Sequence, residues 1–163
     1  MAHSSERPVT VFDLDNTLAE TAHRQHFLQR HPRDWDGFFA AAPLDPPLVE
    51  GVAMARTAAR TCDLVYLTGR PERCRRDTLD WLALHQLPDG ELHMRPSHDR
   101  RPARTTKLEI LRGIARRREV LVVVDDDELV CDAAERAGFA VVRARWAESS
   151  AALQQAQEQE GRT

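Results

Sequence analysis

Apolar runs at regular separations constrain this chain more than anything else in it. They are VTVFDL (9–14), DLVYLT (63–68), VLVVVD (120–125) and FAVVRA (139–144). The first three are near-continuous rather than alternating, which is the pattern of strands covered on both faces. FAVVRA is shorter and suits a place nearer an edge, and ELHMRP (91–96) suits a fifth strand. Helical patterns lie between the runs. PLVEGVAMARTAART runs from Pro47, and PERCRRDTLDWLALHQL opens with Pro71 just inside a helix, where a missing N–H costs nothing. TTKLEILRGIARRR offers a threonine N-cap and an apolar face of Leu108, Ile110, Leu111 and Ile114, and DELVCDAAERAGF closes on Gly138, placed as a C′ glycine. Strands alternating with helices predict an α/β fold, a Rossmann-like doubly wound parallel sheet with right-handed crossovers.

A length of 163 residues predicts one domain. It carries a short helical insert at about 19–46 and a polar tail from about 147. The formal net charge of −3 does not announce nucleic acid or membrane as a partner, but arginine clusters at 70–76, 95–104 and 116–118. The cysteines, Cys62, Cys74 and Cys131, are odd in number and lack metal-ligand spacing, which predicts free thiols in a reducing compartment. MAHSSERP lacks the apolar core of a signal peptide, and no run approaches the ~18 apolar residues of a membrane span, so the expectation is a cytoplasmic protein.

In open α/β sheets ligands bind outside the carboxyl ends of the strands, beside the topological switch point. Asp13, Asp15, Thr68, Gly69, Asp125 and Asp126 all fall at such ends. Close acids there repel unless a cation or a shared proton separates them, and a hard divalent cation is the economical solution. An N-cap or Asx turn would explain DLD alone. It does not explain two acidic clusters, each ending an apolar strand. Asp127 is open to two readings, an N-cap for the helix from Glu128 or, with Asp132, a metal-site register in place of Asp126. His23, His26 and His31 have no ligand spacing and read as surface residues.

DLDNT (13–17), the threonine of LTGR (67–70), Lys107 and the acids of VVVDDD resemble, in order, the four motifs of the haloacid dehalogenase superfamily. That resemblance covers nearly the whole chain. It implies an Mg²⁺-dependent phosphatase working through an aspartyl-phosphate. Carried over, Asp13 would be the nucleophile and Asp15 the acid and base. Asp13, the Asp15 carbonyl and Asp125 would hold Mg²⁺, with Asp126 acting through water. Thr17, Thr68 and Gly69 would contact the phosphoryl group, and Lys107 would neutralise charge on it.

The insert between the first two motifs is too short for a large cap, so a small or absent cap is expected. WDGFFAAAPLDPP, LTGRPERCRRDTLDWL and LHMRPSHDRRPARTTKLEIL look like the phosphatase domain of polynucleotide kinase-phosphatases, which remove 3′-phosphates from nucleic-acid ends. In this resemblance Arg70 contacts substrate phosphate, while Arg73, Arg76, Arg95, Arg100 and Arg101 line the approach of a polyanion. A solvated surface is the rival reading of those arginines. Trp35, Phe38 and Phe39 suit either a stacking surface or core packing, and packing is the expectation for Phe38. Relatives often carry an acid three or four residues before the motif lysine, where this chain has Arg104 and Ala103. A small-metabolite phosphatase and a silent phosphate-binding module are the alternatives. The absence of GxxxxGK[ST] excludes a P-loop kinase within these residues.

Overall fold

A computed structural model describes residues 7–148 and 151–163. Its five strands are β1 (Val9–Phe12), β2 (Asp63–Pro71), β3 (Gly90–Arg95), β4 (Val120–Asp125) and β5 (Val141–Arg143). They form one sheet in the order β3-β2-β1-β4-β5, with every pairing parallel. All five expected strands form, and β5 is an edge of three residues. Among the described residues no helix is long and apolar enough to cross a membrane.

Among the described residues seven α-helices accompany the sheet: α1 (His26–Gln29), α2 (Trp35–Ala40), α3 (Val49–Ala58), α4 (Arg75–Leu84), α5 (Ala103–Ala115), α6 (Glu128–Arg136) and α7 (Ala151–Glu160). Side chains alternate across a strand, so each central strand feeds two cores. Phe12, Leu64, Tyr66 and Val124 pack with Val52 and Ala55 of α3 and with Trp81 and Leu82 of α4. Val9, Val11, Val65, Leu67 and Val123 pack on the other side with Leu111 and Ile114 of α5 and Ala134 of α6. Burial on both faces is why these strands read as continuous apolar runs.

Helix ends follow the sequence in part. Gly138 takes φ 94° just past α6, the left-handed turn expected of a C′ glycine. Asp127 caps the other end by accepting from Leu129 N and Val130 N. Two helix starts differ from expectation. α5 begins at Ala103, and Thr105 is no N-cap: its amide donates to the Pro102 carbonyl, already inside the first turn. Pro71 is extended and closes β2, so α4 starts only at Arg75, after a 3₁₀ turn from Glu72 to Cys74.

A third, smaller core sits away from the sheet. Leu28, Trp35, Phe38 and Phe39 of the insert pack with Leu153 and Ala156 of α7. Trp35 stacks on Phe39 and meets Phe38 edge-on, at centroid distances of 5.7 and 5.8 Å. All three rings are buried, so the packing reading holds for the trio and none presents a face to a base. The stretch expected as a polar tail contributes apolar side chains to this core.

Helix α3 closes on the loop after β1. A methyl group at Gly51 would stand 1.9 Å from the Thr17 carbonyl oxygen, which also accepts the Trp146 indole N–H at 2.8 Å. Gly51→Ala is therefore expected to destabilise the protein by about 1–3 kcal/mol through overpacking. Gly113→Ala, in α5 with nothing within 4 Å of the new methyl, is expected to gain about 0.5–1 kcal/mol. Urea denaturation of both variants reads the contrast. Equal effects would disprove the close approach at Gly51.

Candidate active site

Strand order creates the site. The chain runs outward from β1 to β2 and β3, then returns to place β4 and β5 on the other side of β1. The β1–β4 seam is thus the switch point, where a crevice opens at the strand ends. Asp13 follows β1, its amide donating to the Val124 carbonyl at 2.9 Å, and Asp125 ends β4. Asn16 turns the chain back at φ 62°, a conformation asparagine tolerates, and its Oδ1 accepts from the Thr21 hydroxyl at 2.8 Å. Thr17 Oγ1 donates to Asp13 Oδ2 at 3.3 Å.

Asp13, Asp125 and Asp126 each bring a carboxylate oxygen within 4.8 Å of the others. Lys107 is buried among them, and its Nζ donates to Asp13 Oδ1 at 2.8 Å and Asp125 Oδ2 at 2.7 Å. Burial would lower the Lys107 ammonium, but Asp125 and Asp13 outweigh it and hold the proton on more firmly than usual. Burial and the neighbouring Asp13 charge push the Asp125 carboxyl up to about 7 in spite of Lys107. Burial, then Asp13 and Asp125, push Asp126 well above the ordinary range.

Three carboxylates against one ammonium leave a formal −2 when all are ionised. An all-oxygen trio carrying that charge fits one hard divalent cation such as Mg²⁺. Asp126 is the acid that joins the trio, while Asp127 faces away as the cap of α6. Asp15, expected to ligate through its carbonyl, keeps its carboxylate outside the trio.

The Asp15 carboxylate is instead gripped by two arginines. Its Oδ1 accepts from Arg24 Nη2 at 2.9 Å, Arg70 Nη2 at 2.6 Å and Arg70 Nε at 3.0 Å. Both arginines also reach Asp45 Oδ2, at 2.7 and 3.1 Å. Asp45 is pinned in turn by the exposed His23 at 2.7 Å and through its carbonyl by Trp81 Nε1 at 2.8 Å. Arg24 lies 4.1 Å over the Phe38 ring. Burial would raise the Asp15 pKa, but Arg70 and Arg24 outweigh it and hold the carboxyl down at about 2. Asp15 Oδ2 remains buried without a hydrogen-bond partner.

Arg70 therefore departs from expectation: it is 1% exposed and committed to Asp15, Thr78 and Asp45 rather than to an incoming phosphate. Its amide donates to Thr68 Oγ1 at 3.1 Å, which leaves the buried threonine hydroxyl proton to point elsewhere. Arg95, expected along the approach, is fully buried and clamps the Gly69 and Arg101 carbonyls and Thr106 Oγ1. Arg101 is paired with Asp99 and Glu109 at 2.7 and 2.6 Å, and Arg76 with Asp80 at 3.1 Å. Arg100 is exposed, and among the described residues its guanidinium reaches only the Ser97 and Asp99 carbonyls. Arg24 and Asp45 have no motif spacing to announce them. One signal for Lys107 does lie in the sequence: it is the only lysine in the chain.

Residues 7–147 match the family described as the polynucleotide kinase PNKP phosphatase domain. Among solved structures the chain is similar to one in the Pnkp1/Rnl/Hen1 complex, at 22% identity and a TM-score of 0.72, over 90% of this chain and 48% of that one. It thus spans about half the length of that relative. A haloacid dehalogenase-like hydrolase from Streptococcus pneumoniae aligns at 13% identity and a TM-score of 0.61, over 96% and 93% of the two chains. A haloacid dehalogenase-family enzyme from Bacteroides thetaiotaomicron, in complex with magnesium and inorganic phosphate, aligns at 11% identity and 0.54, over 90% and 98%. At these identities the likeness carries the fold alone. No curated protein sequence matches the chain.

The acid trio predicts a pH-dependent stability. A carboxyl whose folded pKa lies above its unfolded value binds more protons when folded, so stability falls as pH rises between the two. For Asp125 that window runs from 3.8 to about 7, at up to about 1.4 kcal/mol per pH unit. Asp15 is shifted the other way, and its contribution is lost only below pH 3.8. Metal-free protein should melt higher at pH 5 than at pH 7.5, and Mg²⁺ should raise Tm more at pH 7.5. Scanning calorimetry with and without EDTA checks this. A Tm that rises with pH in EDTA would count against the trio.

Proposed function

The chain belongs to the family of polynucleotide kinase phosphatase domains, phosphatases of the haloacid dehalogenase type, and from that premise we propose that it removes 3′-phosphates from polynucleotide ends through an aspartyl-phosphate on Asp13. The observation that carries the covalent route is the meeting of Asp13, Lys107 and the two further acids at the β1–β4 seam, with the unpartnered Asp15 Oδ2 close by in sequence. Asp13 attacks phosphorus through a carboxylate oxygen, and the ester oxygen leaves with a proton from Asp15. Water then attacks the acyl phosphate, giving its proton to Asp15 and freeing inorganic phosphate and the Asp13 carboxylate. Thr68 donates to a phosphoryl oxygen, and Lys107 balances charge on Asp13 as the bond forms and breaks. Asp13, Asp125, Asp126 and the Asp15 carbonyl would hold Mg²⁺, which when bound supplies neutralisation of the phosphoryl oxygens.

The arginine pair gives the two half-reactions different demands. Asp15 rests ionised, ready to act as base in the second. In the first, Oδ2 has to capture a proton against the pull of Arg24 and Arg70 before it can hand it on. Ester oxygens that are poor leaving groups feel that demand; p-nitrophenolate does not.

Three outcomes follow for purified protein. A substrate panel in Mg²⁺ should favour 3′-phosphorylated oligonucleotides over 5′-phosphorylated ones and sugar phosphates, with EDTA abolishing turnover. Preference for sugar phosphates or free nucleotides would replace the polynucleotide reading with the metabolite one. Asp13→Asn should reduce turnover by at least about 10³-fold, because an amide cannot form the acyl phosphate; near-wild-type turnover would end the covalent mechanism. In Asp15→Asn, phosphoenzyme formation should slow by about 10²–10⁴-fold with an alkyl phosphate and far less with p-nitrophenyl phosphate. Equal losses would remove Asp15 from the role of acid.

A further inference from the structure

The fold sorts the chain's abundant arginines into those already partnered and those left facing outward. Arg24, Arg70 and Arg95 are buried clamps, while Arg76 and Arg101 lie beside carboxylates. Arg100 and Arg162 are different. Neither has a carboxylate within ion-pair distance among the described residues, and the Arg100 guanidinium donates to the Ser97 and Asp99 carbonyls at 2.7 and 3.1 Å. Arg73 pairs with Asp36 at 3.0 Å, with the acid itself 87% exposed.

These three arginines come from distant segments that the structure ties together. The Arg73 amide donates to Ser97 Oγ at 3.3 Å, joining the turn after β2 to the loop that carries Arg100. Gly161 lies against that same loop: a methyl group there would stand 2.0 Å from the Arg100 carbonyl oxygen, and its φ of 57° favours glycine. Thr163 is buried on Gly69, where a methyl group would stand 2.2 Å from the Thr163 carbonyl carbon, and its oxygen accepts from Arg95 at 3.4 Å. Arg162 is held between these two anchors. Burial, then the Arg100 and Arg73 charges, depress its pKa against the opposite pull of Asp36 and Glu160. Helix α7, which leads into the segment, is fastened by Leu153 and Ala156 and by the Arg104–Glu158 and Arg33–Glu160 pairs at 3.0 and 2.6 Å.

Three guanidinium groups set against Asp36, which Arg73 already pairs, and Glu160, which Arg33 already pairs, repel one another and attract an anion that enters between them. Thr163, the neighbour of Arg162 in the chain, lies against Gly69, next to the threonine that would hold the phosphoryl group. We propose that Arg73, Arg100 and Arg162 form a subsite for the phosphodiester adjacent to the 3′-terminal phosphate of a polynucleotide. The inference rests on the polynucleotide reading above and names what would distinguish a polynucleotide end from a mononucleotide.

The test is the ratio of kcat/KM for a 3′-phosphorylated oligonucleotide to that for a nucleoside 3′-monophosphate, measured in Mg²⁺ over a range of salt. The ratio in wild type should exceed one and fall as salt rises. Arg162→Gln should reduce it about 5-fold at low salt and flatten the log–log salt slope by about 0.7, the counterion contribution of one contact to a single strand. Adding Arg73→Gln should reduce it further, and Arg162→Lys should restore most of the loss, because counterion release needs a cation rather than a guanidinium. A ratio unchanged in Arg162→Gln, or a wild-type ratio of one, overturns the subsite and leaves 3′-phosphatase activity standing. A wild type that hydrolyses neither 3′-phosphate overturns the functional reading and the subsite with it.

Discussion

The structure turns on one buried charge balance, a single ammonium set against three carboxylates at the β1–β4 seam. Lys107 can stand there because α5 packs across that end of the sheet, with Ala103, Lys107, Leu111 and Ile114 all buried along it. An arginine fork in the same place would demand planar, bidentate partners; an ammonium is a compact point charge that rotates its donors to Asp13 and Asp125 alike. Full ionisation would leave a formal −2 there, which is why Asp125 and Asp126 hold their protons to higher pH and why the seam suits a divalent cation. The apolar strands beneath hold the acids close despite their repulsion, because splaying them would unpack both cores.

A second network beside the first is neutral by itself. Asp15 and Asp45 balance Arg24 and Arg70, and all four are buried. Removing one partner from such a set leaves an uncompensated buried charge, typically worth about 3–5 kcal/mol. The network also fastens the insert to the sheet, since Arg24 and Asp45 come from the insert, Asp15 from the loop after β1 and Arg70 from the end of β2. The insert, through Arg24 and Asp45, therefore anchors the Asp15 carboxylate. Function and fold share these contacts, so variants here will disturb both.

The arginines show how little composition says about a residue's work. With Lys107 the only lysine, every other fixed side-chain cation is an arginine. Identical side chains a few residues apart serve opposite ends: Arg95 is a buried clamp on main-chain carbonyls, while Arg100 faces outward. Burial lowers the Arg95 pKa to about 10, a cost that its carbonyl and hydroxyl contacts offset. Arg104, on the exposed side of α5, holds α7 through Glu158.

Periodicity alone determined the sheet, the helices α3 to α6 between its strands and the gathering of acids at strand ends, because strands buried on both faces must be written as continuous apolar runs and a doubly wound sheet has one place for ligands; it did not show α7, which reads as a polar tail. The ordered motifs named Asp13, Thr68, Lys107 and the β4 acids for the same reason: each is local to a strand end or a helix face. Which of Asp126 and Asp127 joins the acids was not local, since it depended on where α6 begins. The grip of Arg24 and Arg70 on Asp15, the keystone Asp45, the packing of Trp35 and Phe39 and the return of residues 161–163 to Gly69 were decided only by tertiary structure. Most of those contacts join segments well separated in the chain, and no spacing rule encodes them; long-range packing brings them together, and burial then selects the partner each charge must find.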